Sequence, residues 1–152
     1  MSVLTNSIIV SQSGKNVISI LKGGSITDPQ GTKRKADTAF IRSTRARAKV
    51  QYPHILVEAE IANEDTLSLQ GDSTMNLIMV AIILTTSNNK DQDTIMDQIK
   101  EVMRSNRVAF KAFKMQRVKN LSGGVSPKQE GKDSNGKWIE TTVTYFFKYF
   151  AT

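Results

Sequence analysis

The sequence predicts an α+β fold: a mostly antiparallel sheet of about four to five strands with an N-terminal helix and a second helix packed on it, in the order α-β-β-β-α-β-β. Three observations carry this. The run TMNLIMVAIILTT, residues 74–86, is apolar on both parities, with Met75, Leu77, Met79, Ala81 and Ile83 on one and Ile78, Val80, Ile82 and Leu84 on the other. It is bounded by turn chemistry and too short to span a bilayer as a helix, so it reads as a central strand over 75–84 that wants cover on both faces; a buried helix is the rival reading. HILVEAEIA, from residue 54, alternates apolar and polar residues as a half-buried strand does. Ile95, Met96, Ile99, Val102 and Met103 form one stripe on a 3.6-residue repeat.

In chain order, Val3, Leu4, Ile8 and Ile9 and then Val17, Ile18, Ile20 and Leu21 leave an apolar stripe before Gly23-Gly24. This predicts a helix closed by a glycine cap, with Gly14 as a possible division and residues 15–22 as its firm part. A surface loop over about 27–39 follows. Between residues 33 and 49 stand seven of the chain's 21 Lys and Arg against one acid. From residue 40 to 50 these alternate in part with small or apolar residues, as in a solvated edge strand. The segment reads either as such an edge or as a contact for an acidic partner or for nucleic-acid phosphates.

Pro53 opens the next strand at a position that costs no ladder bond. After the central strand, Asp91, Asp93 and Asp97 at one end and Arg104 at the other suit the dipole of a helix over about 91–104. Residues 108–118 and 137–150 are predicted as two further strands. The glycine-rich stretch 119–136 is predicted as a long flexible hairpin loop between them. In the last strand Ile139, Val143, Tyr145, Phe147 and Tyr149 share a parity that only Thr141 interrupts.

The 152 residues suit a single domain, 1–152. A formal charge of +7 favours acidic surfaces or phosphates as partners. The lack of cysteine excludes disulfides and thiolate metal sites. No signal peptide or membrane span is expected, and the protein is expected to be soluble. Chemistry is sparse: His54 is the sole imidazole, and no metal-ligand spacing, nucleophile elbow or phosphate-cradling glycine loop occurs. No catalytic, cofactor-binding or metal-binding residue is assigned. TYFFKYF could act as a stacking platform for single-stranded nucleic acid, but the RRM and KH signatures are missing and the aromatics read as core.

The order of elements, together with Tyr52-Pro53 opening HILVEAEI, the polar 63–72 connection, the long apolar strand, the acid-capped helix and a closing strand with Trp138 near its start and TVTYFFKYF at its end, resembles the tail terminator (tail completion) proteins of long-tailed viruses, of the lambda type. The likeness covers residues 52–150, and the N-terminal helix followed by Ile26-Thr27-Asp28-Pro29 suits it. It implies a non-enzymatic virion protein, assembled in the host cytoplasm, that forms a homohexameric ring at the head-proximal end of the tail. Such a ring ends tail tube polymerisation and joins the tail to the head connector, so the implied partners are itself, the tube protein, the connector protein, and viral DNA passing through the lumen without sequence-specific binding. Ring lumens that pass DNA are often lined by acids, whereas this chain is basic. Lys33, Arg34, Lys35, Arg42, Arg45 and Arg47 are therefore assigned to contact with a protein partner or neighbouring subunit. The alternative from another class is a basic nucleic-acid-binding α+β module.

Overall fold

The computed structural model describes residues 9–35, 38–43, 51–66, 74–118, 124–134 and 136–151. The fold is α+β: helices α1 (Ile9–Gly23), α2 (Asn89–Ser105) and α3 (Arg107–Ala112) pack on a sheet of β1 (Ile41–Arg42), β2 (His54–Thr66), β3 (Thr74–Thr86), β4 (Gln116–Arg117), β5 (Gln129–Asp133) and β6 (Gly136–Ala151). The spatial order is β1-β2-β3-β6-β4, with β5 also on β6. β1 runs parallel to β2 and every other pair is antiparallel. The run at 74–86 thus takes the central place its composition demands, hydrogen-bonded along its length to β2 and β6.

One face of the sheet carries the core. Ile78, Val80, Ile82 and Leu84 of β3 lie beside Phe147, Tyr145, Val143 and Thr141 of β6, and Ile55 and Val57 of β2 complete the layer. Against them α1 sets Val17, Ile20 and Leu21, and α2 sets Ile95, Met96, Ile99, Val102 and Met103, so the helical stripe of the sequence is its buried face. Each such side chain, fully buried, is worth about 1.5–3 kcal/mol. Gly14 lies inside α1 without dividing it. Gly24, just past the helix, sits so close to Val102 that a Cβ would approach within 2.5 Å of it.

The start of α2 is fixed by two polar devices. The Asn88 side chain accepts from the Asp91 amide at 2.8 Å, an N-cap. One turn later the buried Gln92 amide donates to Thr86 Oγ1 at 2.8 Å and to the Ile139 carbonyl at 3.1 Å, while its oxygen accepts from Thr141 Oγ1 at 2.7 Å. Thr141, the one polar break in the closing strand, is therefore buried because it has a partner.

Three expectations need correction. Residues 108–118 are not a strand: α3 follows α2 after Asn106, and only Gln116 and Arg117 pair with β6. Helical geometry puts Phe110 in the core, 5.0 Å from the Phe147 ring, and leaves Val108 82% exposed. The stretch 119–136 is not a plain loop, because β5 pairs with β6 and Val125 bridges to Val143. Residues 119–123 lie outside the described residues, as do 44–50, so of the expected edge strand only 40–43 are described, with Ile41–Arg42 as β1. Finally, β3 is covered by helices on one face alone, and its second face is half-buried.

Candidate functional site

The described residues of the basic segment differ in how they face. Lys33, at the end of a 3-10 turn (Gly31–Lys33), and Lys35 are exposed. Arg34 between them turns inward. Its Nε donates to Asp28 Oδ2 at 2.6 Å and its Nη2 to Asp28 Oδ1 at 2.8 Å, and the same guanidinium reaches the carbonyls of Gln51 at 3.2 Å and Pro53 at 2.7 Å. The carbon of the fork lies 5.2 Å from the Phe40 ring centre. The Arg34 side chain is only 10% exposed. Burial raises the Asp28 carboxyl, but the Arg34 hydrogen bond, the amides of Gln30 and Gly31 and the Arg34 charge outweigh it and hold the group below its usual range. Arg34 thus ties the 28–35 loop to the entry of β2. Arg42 stands half-buried on β1 with its Nε buried and unpartnered, and Arg45 and Arg47 lie outside the described residues.

His54 begins β2 next to this latch. Its ring lies 5.6 Å from that of Tyr52, whose hydroxyl donates to Asp133 at the far end of β5. Burial, then the charges of Arg42 and Arg34, push its pKa down to about 4. The imidazole is neutral at neutral pH. Because the folded pKa lies below the ordinary 6.5, the unfolded chain binds more protons between about pH 6.5 and 4. Stability is expected to fall as pH drops through that window, by up to about 3 kcal/mol. His54→Gln should flatten this slope in urea midpoints measured between pH 7 and 4, and an unchanged slope would show that other groups set it.

The second sheet face carries an apolar row that no described helix covers. Met75, Leu77, Met79, Ala81 and Ile83 of β3 run along it, flanked on β6 by Phe146 and Phe150, the latter 51% exposed. Glu58 and Glu60 of β2 edge it on one side, and Lys148 of β6 lies on the other. Between Ile61 and Asn63 the β2 register shifts by one residue, a bulge that brings Asn63 beside Leu77. Among the described residues all three helices contribute to the core on the opposite side, and none covers this one. A cleft of about 470 Å³, with Gly14 and Lys15 of α1 and Met79 and Ala81 of β3 in its walls, opens where β2 runs on past β1.

A second cluster of cations went unnoticed in the sequence. Lys100 and Arg104 of α2, Arg107 of α3 and Arg117 of β4 line one pocket of about 280 Å³ against Val143, Thr144 and Tyr145 of β6. The spacing of Lys100, Arg104 and Arg107, at i, i+4 and i+7, is a helical stripe that could have signalled it, but a strand reading from residue 108 separated Arg117 from the other three. Among the described residues no group of three or more His, Asp or Glu is placed to hold a metal ion. No described helix is long and apolar enough to cross a membrane. Comparison with models of known protein families finds no match, and no curated protein matches the chain.

Proposed function

We propose that the protein is a structural subunit that works by assembling with copies of itself through the open face of its sheet, and that it serves as a tail terminator: a ring at the head-proximal end of a viral tail that ends tube polymerisation and joins the head connector. The carrying observation is the row Met75, Leu77, Met79, Ala81 and Ile83 with Phe146 and Phe150, a half-buried apolar strip on the side of the sheet that no described helix covers. Monomeric proteins rarely leave large contiguous apolar patches in water, and such patches mark interaction sites. The acidic and basic residues flanking the strip on opposite sides suit a heterologous contact, which closes into a ring when its rotation allows. The particular role in a tail rests on the resemblance of residues 52–150. Exposed Lys33 and Lys35 are the described members of the basic segment free to meet a protein partner.

Electron microscopy of the purified protein, with its absorbance ratio, tests this reading. Closed rings free of nucleic acid support it. A monomer or dimer that carries nucleic acid through purification would favour the basic nucleic-acid-binding module instead.

A further inference from the structure

The geometry points to a phosphate-binding site, separate from the open sheet face, in the pocket where Lys100, Arg107 and Arg117 converge beside Tyr145. Arg104 also lines the pocket, but Glu101 engages it at 3.0 and 2.6 Å, so its charge is answered locally. Among the described residues no acid pairs with the other three cations. The Arg117 guanidinium carbon lies over the Tyr145 ring, 4.6 Å from its centre, and its Nη1 is buried without a hydrogen-bond partner. A buried donor with no partner is costly and calls for an acceptor. Burial disfavours the Arg117 charge and Arg107 repels it, while Tyr145 opposes these effects. An anion in the pocket relieves the repulsion and offers acceptors to the Arg117 guanidinium.

Phosphate fits this demand better than a carboxylate. Three cations around one concavity leave two uncompensated when a single carboxylate enters, whereas free phosphate offers up to two charges, and a singly charged phosphodiester still turns acceptors to several sides of the arginine forks, beyond the single plane of a carboxylate. The ring of Tyr145 is occupied by Arg117, so it offers no stacking surface for a base. The site therefore takes the phosphate group alone, whether free or as the phosphodiester of a strand, without reading sequence.

The test follows the Nε–H resonances of Arg107 and Arg117 in ¹⁵N spectra of the full chain. The probes are inorganic phosphate, a short oligothymidylate and oligoglutamate, each against chloride at matched ionic strength. Phosphate or oligothymidylate is expected to shift both resonances saturably, and Arg107→Gln and Arg117→Gln should each weaken binding by about tenfold. Arg107 is exposed, so its variant keeps the test decisive if Arg117→Gln disturbs the fold. Tighter binding of oligothymidylate, with a log–log salt slope of about −0.7 per contacted phosphate, would identify a strand as the source. Equal affinity for both probes would identify free phosphate. Shifts no larger than those in chloride, affinities unchanged in both variants, or tighter binding of oligoglutamate at the same residues would overturn the proposal.

Discussion

Ile99→Asp is expected to lower the unfolding free energy by about 5 kcal/mol, enough to leave a typical domain largely unfolded. Ile99 is fully buried in the middle of the α2 stripe, in the layer that faces β3 and β6. The substitution removes its apolar contacts and sets a carboxylate among Ile, Val and Met side chains, where neither water nor a cation answers it. Ile99→Val, which deletes one methylene, should cost about 1 kcal/mol. Thr94, exposed on the same helix, should tolerate alanine within about 0.5 kcal/mol. Urea denaturation followed by circular dichroism measures all three, and an Ile99→Asp variant that melts with the parent would show that α2 does not pack on the sheet.

The next largest effect is expected at Arg34. Arg34→Ala should cost about 2–4 kcal/mol, because it strips a carboxylate and two carbonyls of their shared donor in a partly buried place. The lysine variant keeps the charge and loses the fork, so Arg34→Lys should fall between alanine and the parent. Alanine at Lys33 or Lys35, which are exposed, should change stability by no more than about 0.5 kcal/mol. The contrast between adjacent residues makes the test internal. Equal, small losses at 33, 34 and 35 would mean that the latch contributes nothing to folding.

What the sequence conveyed well was periodic. Alternation placed β2 and β6, the double-sided apolar run placed β3 at the centre, and the stripe from Ile95 to Met103 placed α2. Signals that depend on distant partners were not legible. Arg34 stands in a run of cations that reads as surface, and the approach of Gln51 and Pro53, 17 and 19 residues away, joins Asp28 in holding it inward. At residues 108–113 the pattern VAFKAF suits either period, and the packing of Phe110 on Phe147 decides for a helix. Two apolar parities in β3 suggested two covering layers, yet α1 and α2 lie on the same side, so composition revealed the need for cover and not its source. The aromatic last strand offers a surface for a neighbouring subunit already in the sequence, but the β3 row beside it is not legible there as part of that face.

Light scattering on a sizing column, applied to the parent and to Met79→Glu, tests the central claim most directly. Met79 lies in the middle of the open row, half-buried in the isolated subunit and directly across from Glu60, so a glutamate there should lower the subunit's own stability by about 1–2 kcal/mol. Buried between two copies, the same charge would have no partner and would be far more costly. The account predicts a ring-sized assembly for the parent and a folded monomer for Met79→Glu. A parent that stays monomeric at high concentration, or a Met79→Glu variant that assembles as the parent does, would contradict it.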